Sequence, residues 1–257
     1  MWNDIQFDSK QVSKSLRARC DGFRHQLYMY DRKAFREMED ARHMYGSLKT
    51  EGSTLTFVQT SMILKGELPR DFKNNDLLEG IRLSAALHEV RDLVGKVPFS
   101  EEIVKRIHKT CASGLLDTNE SGEYRKRQNF IGLGNYSTAV PNQISKLIRR
   151  LFEAIANESN PIIKAGFFAF NYLSIHPFID YNGRTSRLFE CYILGESGYP
   201  FISLKEEQID KYLTLLRDGS ELGNAYYEPY IEFILERVED RFEEIITMGV
   251  NECLTEM

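Results

Sequence analysis

No segment of this 257-residue sequence approaches 18 continuous apolar residues, and Met1-Trp2-Asn3-Asp4 lacks a basic region followed by an apolar run. Neither a membrane-spanning helix nor a secretory leader is expected, and a soluble cytoplasmic protein is. Positive charge is not in excess, since 33 Lys and Arg stand against 38 Asp and Glu for a net charge of −5. Nucleic acid is therefore not expected as a partner, because backbone affinity comes from clustered cations; the run Arg125-Lys126-Arg127 reads as solvated loop charge. Cysteine is sparse. Cys20, Cys111, Cys191 and Cys253 lie far apart with no Cys-x-x-Cys and no paired His, which indicates neither a zinc site nor a disulfide framework. Repeats, low-complexity tracts and Pro/Gly-rich linkers are also missing, so one compact unit with extensions is expected.

Strand-like alternation is scarce, and helical periodicity fills nearly everything else, which makes the expected fold class all-α with at most one β-hairpin. Leu16, Phe23, Leu27 and Tyr28 fall at roughly helical spacing in residues 1–33. Further helices are expected over 33–49, 54–65, 71–94, from the Ser100 cap onward, and over 140–157 and 161–175. The last of these is very apolar, and Phe167, Phe168, Phe170 and Tyr172 read as core. Ser203-Leu204-Lys205-Glu206 fits a capping box opening another helix, and a long one closes the chain over 228–248. His88 and His108 read as packing or surface residues. Residues 121–132 break the pattern, with glycines at both ends, as a small hairpin or a plain loop.

The chemistry gathers in His176-Pro177-Phe178-Ile179-Asp180-Tyr181-Asn182-Gly183-Arg184-Thr185-Ser186-Arg187. Pro177 disfavours helical geometry at His176, so the imidazole should sit at a helix end. Asn182 is a good N-cap and Gly183 permits close backbone approach, so a loop feeds a helix N-terminus, whose free N–H groups suit phosphates. Arg184 and Arg187, three apart, can reach one anion. Asp180 is suited to a Mg²⁺ accompanying nucleotide phosphates. An imidazole with an ordinary pKa of ~6.5 is a natural general base beside them. Separately, Glu51 stands just before Gly52 at the end of the 33–49 helix, where a carboxylate opposes the helix dipole. An arginine from a distant part of the chain would compensate it; exposure to water is the plain alternative.

The 176–187 segment resembles the signature of the Fic family, His-Pro-Phe-x-Asp/Glu-Gly-Asn-Gly-Arg-x-x-Arg. Its departure is Tyr181, where the family usually has glycine. If that glycine serves a positive φ, tyrosine costs roughly 1–2 kcal/mol; if it serves space, the phenol crowds the phosphates. Ser47, Glu51 and Gly52 are similar to the family's inhibitory pattern, Ser/Thr-x-x-x-Glu-Gly/Asn, carried on an N-terminal inhibitory helix. The resemblance implies a Fic-type helical bundle with a small β-hairpin flap. It divides into an inhibitory helical region over 1–75, a catalytic core over 76–205, and C-terminal helices over 206–257. It implies transfer of AMP from ATP to a side-chain hydroxyl of a target protein, with His176 as base and Asp180 on Mg²⁺. Asn182, Gly183, Arg184 and Arg187 would hold the phosphates, and Glu51 would inhibit through Arg187. The flap, entered at Tyr124 and Arg125 and ending at Gly132, would hold an extended target, and Tyr212, Tyr226 and Tyr227 lie near the family's adenine contacts. Self-modification and homo-oligomer formation stay open. Two other readings stand beside it: a Fic-fold enzyme using another nucleotide or removing AMP, and a non-catalytic nucleotide-binding module in which Tyr181 blocks productive phosphate placement.

Overall fold

The computed structural model describes residues 7–22, 33–131, 136–222 and 227–255. Among them are ten α-helices: α1 Lys14–Gly22, α2 Lys33–Thr50, α3 Phe57–Leu64, α4 Asn74–Leu93, α5 Glu101–Ala112, α6 Ile144–Ala156, α7 Pro161–Ile175, α8 Asn182–Glu196, α9 Ile209–Leu222 and α10 Tyr227–Thr255. The all-α expectation holds. No helix among the described residues is long and apolar enough to cross a membrane. Phe23, Leu27 and Tyr28 lie outside the described residues.

The helices begin and end where local chemistry dictates. The side chain of Asn160 accepts from the N–H groups of Ile162 and Ile163 at 3.0 and 3.1 Å, and Pro161 opens α7 where its missing N–H is no loss. Thr56 and Gln59 form a reciprocal capping box on α3, and the Ser100 hydroxyl accepts from Ile103 N–H to start α5. The box expected at Ser203 is not formed. The nearest such contact lies two residues later and is one-sided, Gln208 Oε1 accepting from Lys205 N–H at 3.1 Å, while Leu204 is buried in the core and the Ser203 carbonyl accepts from Arg237 Nε at 3.0 Å. Residues 201–205 therefore stay outside any helix.

Helix α7 is the axis of the bundle. All its residues except Lys164 and Ser174 are buried, and it packs on α8, α10 and α6. A helix apolar on every side can only sit in the middle of its neighbours. On α6 the buried residues Ile144, Leu147, Ile148, Leu151 and Ile155 form one stripe of helical period. Helix α2 is fixed differently, by buried charge: Glu39 accepts from Arg91 of α4 at 2.8 Å and from Arg241 of α10 at 3.2 Å. Its His43 Nδ1 lies 2.9 Å from the Ile202 carbonyl. These contacts aim the C-terminal end of α2 at the N-terminal end of α8.

The sheet among the described residues is a two-residue antiparallel pair, β1 Phe130–Ile131 and β2 Tyr136–Ser137, with Phe130 opposite Ser137. The small hairpin flap is not seen beyond this ladder, and Gly132 lies outside the described residues. Side chains take the place of main-chain pairing just before it: Gln128 donates to the Thr138 carbonyl at 3.1 Å, and Asn129 donates to the Phe178 carbonyl at 3.2 Å.

Candidate active site

His176 terminates α7 in the left-handed conformation, φ 53° and ψ 62°, with its N–H still donating to Tyr172 at 2.9 Å. The half-buried imidazole places Nδ1 3.3 Å from the Leu173 carbonyl. A carbonyl only accepts, so Nδ1 carries the proton and Nε2 is left as the base. Burial pushes the His176 pKa down to about 4, and the ring is neutral at pH 7.

The loop after it is tied across itself by Asn182, whose Oδ1 accepts from Phe178 N–H at 3.0 Å while its Nδ2 donates to Phe178 O at 3.0 Å. Asn182 is not the N-cap expected from the sequence. It is the first residue of α8; Tyr181 occupies the cap with φ 63° and makes no side-chain cap bond. With the carboxamide committed to the loop, no side chain caps the first turn of α8. The positive φ identifies why the family position favours glycine, and the strain of a tyrosine there is about 1–2 kcal/mol. Crowding does not follow, because the Tyr181 ring is buried beneath the Arg184 guanidinium, whose central carbon lies 3.8 Å from the ring centroid.

Two residues that the sequence reading set aside position this loop. His108 is more than packing: its Nδ1 accepts from Gly122 N–H at 2.9 Å, its Nε2 donates to the Asp180 carbonyl at 3.0 Å, and its ring stacks on Phe178 at 3.7 Å. Arg125 corrects the reading of solvated loop charge, since it is only 5% exposed. Its Nε donates to the His176 carbonyl at 2.8 Å, and its Nη groups donate to Arg127 O at 3.0 Å, to Thr138 Oγ1 at 2.9 Å and to Ala139 O. Its own N–H donates to Pro177 O at 2.9 Å. Only a planar guanidinium fork satisfies so many fixed acceptors at once, a requirement invisible in a run of basic letters. Arg125→Lys is expected to lower stability by about 2–3 kcal/mol in denaturant titration, since one ammonium leaves buried carbonyls unpaired.

The segment around Glu51 folds as a Schellman turn. Gly52 N–H donates to Lys49 O at 2.9 Å and Ser53 N–H to Leu48 O at 3.1 Å, with Gly52 at φ 82°, a conformation glycine adopts without penalty. That turn delivers Glu51 to Arg187. Oε1 accepts from Arg187 Nη2 at 2.6 Å, while Arg187 Nε donates to Ser47 Oγ at 2.9 Å and Nη1 to Tyr212 OH at 3.2 Å. Ser47, Glu51 and Arg187, 140 positions apart at the extremes, thus meet as expected. A Cβ at residue 183 would stand 2.8 Å from Glu51 Oε1, so Gly183 supplies the space this carboxylate uses. Burial would raise the Glu51 pKa, but the guanidinium groups of Arg187 and Arg184 outweigh it and hold the carboxyl below its usual range. Glu51 Oε2 lies 4.0 Å from Arg184 Nη2, so the anion the two arginines share here is Glu51.

A cavity of about 290 Å³ opens among Glu51, His176, Asp180, Gly183, Arg187 and Tyr212. Asp180 presents a carboxylate that is 59% exposed. Arg184 and Tyr181 are not among the lining residues. Of the adenine candidates, Tyr212 lines the cavity, Tyr227 packs on Phe167 and donates to Asp8 O at 2.9 Å, and Tyr226 lies outside the described residues.

Residues 98–194 match the Fic/DOC family. The chain carries a Fic domain. Protein adenylyltransferase Fic of Drosophila yakuba is 30% identical to this Fic chain over 204 residues, 77% of the chain and 40% of the relative; that of Drosophila erecta is 31% identical over 205 residues. The chain spans about two fifths of the length of these relatives. In fold it is similar to a Fic domain containing signaling protein from Bacteroides thetaiotaomicron (TM-score 0.73, 24% identity, 89% of this chain and 94% of that one). Fic-1 of C. elegans gives a TM-score of 0.77 at 22% identity over 93% of this chain and 73% of its own.

Three histidines on and around this site are neutral because burial lowers them: His43 to about 3, His108 to about 4 and His176 to about 4. Unfolded, each titrates near ~6.5. Between these values the unfolded chain binds more protons, so this contribution to stability is fully present above ~6.5 and is lost as pH falls toward 4. Urea midpoints are expected to fall between pH 7 and pH 5; a flat profile would contradict neutral histidines in the folded state.

Proposed function

We propose that this Fic protein transfers AMP from ATP to a side-chain hydroxyl of a target protein, and that Glu51 holds the activity down through Arg187. The supporting observation is that one cavity brings together an unprotonated imidazole nitrogen, the uncapped start of a helix and a buried arginine occupied by an internal carboxylate. His176 Nε2 takes the hydroxyl proton as that oxygen bonds to the α-phosphorus, the bond from the α-phosphorus to its bridging oxygen breaks, and pyrophosphate leaves. The N–H groups of Asn182 and Gly183 face phosphate oxygens at the helix start, and Arg187 takes the outer phosphates. Glu51 occupies Arg187 and contributes a second negative charge where those phosphates must seat. Removal of AMP, with Glu51 placing a water, would use the same cavity; incubating AMP-bearing product with wild type separates the two directions.

Among the described residues no cluster of three or more His, Cys, Asp or Glu could hold a metal unaided. Mg²⁺ that arrives with a nucleotide takes most of its ligands from phosphates and water, and the exposed Asp180 carboxylate fits the one protein ligand it needs. There it would neutralise phosphate charge. An extended target segment would lie along Phe130–Ile131 by strand addition. The test is ATP labelled on the α-phosphate, with label retained on protein in Glu51→Gly and absent from Glu51→Gly with His176→Ala.

A further inference from the structure

The geometry points to Arg184 being withheld from the nucleotide by a holder made of Glu79 and the Tyr181 ring, leaving Arg187 alone to meet the outer phosphates once Glu51 departs. This rests on the nucleotide reading given above. Glu79 of α4 accepts from Arg184 Nη1 at 2.8 Å, and Asp180 Oδ1 accepts from Nη2 at 3.3 Å. The guanidinium lies 3.8 Å over the Tyr181 ring, and the side chain is only 6% exposed. Charge balance then separates the two arginines. Among the described residues Glu51 is the only carboxylate within ion-pair distance of Arg187, at 2.6 Å, and its other contacts, Ser47 and Tyr212, are neutral. When Glu51 moves away, Arg187 becomes a buried cation without a counter-charge on the wall of the cavity, which a phosphate would supply. Arg184 keeps the Glu79 carboxylate and an aromatic face even when Asp180 turns to Mg²⁺, so it gains little by turning to a phosphate.

Tyr181 makes this arrangement particular to the chain. A glycine at 181 would suit the positive φ but would offer Arg184 no shelf, whereas tyrosine accepts an unfavourable backbone and supplies one. Tyr181 and Glu79 are thus positioning residues that select which arginine reads the triphosphate.

The test is calorimetric binding of MgATP to the Glu51→Gly protein. Arg187→Gln in that background is expected to weaken binding about 30-fold, and Arg184→Gln less than threefold. Dismantling the holder by Glu79→Gln with Tyr181→Gly is expected to free Arg184 and tighten MgATP about tenfold, a gain that Arg184→Gln abolishes and that AMP, lacking outer phosphates, does not show. Tyr181→Phe, which keeps the ring, should behave as the parent. A gain in affinity that depends on a third residue is not a product of damage to the fold. A tenfold or greater loss from Arg184→Gln alone, or no gain on dismantling the holder, would overturn the inference while leaving the nucleotide reading intact. Failure of the Glu51→Gly protein to bind MgATP at all would overturn both.

Discussion

Replacing Glu51 by glycine is expected to raise AMP transfer by on the order of 10²-fold, read as label incorporated per unit time at saturating MgATP. The size follows from the interaction removed. Glu51 pairs with a 1% exposed Arg187 at 2.6 Å and lies close to Arg184 at 4.0 Å. Breaking a buried pair is typically worth about 3 kcal/mol, which corresponds to roughly a hundredfold in a rate or population. The sign follows from chemistry. A phosphate approaching Arg187 must displace the carboxylate and tolerate its charge, and the variant removes both obstacles. Because Glu51 terminates a helix and its side chain is 28% exposed, the change leaves no cavity in the core. Glu51→Gln should fall between the two proteins, since an amide still accepts from Arg187 but carries no charge. Inactivity of both the wild type and the glycine variant would remove Glu51 from any regulatory role.

Replacing His176 by alanine in the Glu51→Gly background is expected to lower transfer by about 10²–10⁴-fold, the range a positioned general base contributes. Nucleotide binding should change little, because the phosphates are met by the start of α8 and by Arg187. The fold should survive, since among the described residues the histidine ring's one intramolecular bond is the 3.3 Å contact to Leu173. His176→Asn is the better control for backbone, as asparagine tolerates the left-handed φ of 53° found there. Because burial lowers the imidazole to about 4, the base stays competent well below pH 6.5, and the acid side of the free-enzyme rate profile should lie nearer pH 4 than pH 6.5.

Which parts of this arrangement could be read from the letters follows from their range. The helices were legible because each is announced locally, by a cap such as Asn160 or Ser100 and by apolar residues at helical spacing. The Glu51–Arg187 meeting was legible for an electrostatic reason: a carboxylate at the negative end of a helix asks for a distant cation, and the Fic signature named one. Arg125 was not legible. Its surroundings are carbonyls of residues 127, 139 and 176, and a carbonyl has the same letter whether it is paired or not. Glu79 and His108 escaped for a related reason, since both sit on amphipathic helices where a polar residue is by default surface, and only the packing of α4 and α5 against α8 turns them inward. The Asn182 cap failed because the 178–182 loop claimed the carboxamide that a cap would have used, and the Ser203 box because burial of Leu204 keeps residues 201–205 out of any helix.

The most direct measurement is the intact mass of wild type, Glu51→Gly, and Glu51→Gly with His176→Ala after incubation with MgATP. The account predicts an AMP adduct on the Glu51→Gly protein, little on wild type, and none when His176 is also replaced. An adduct of equal extent on wild type and Glu51→Gly, or one that persists without His176, would contradict it.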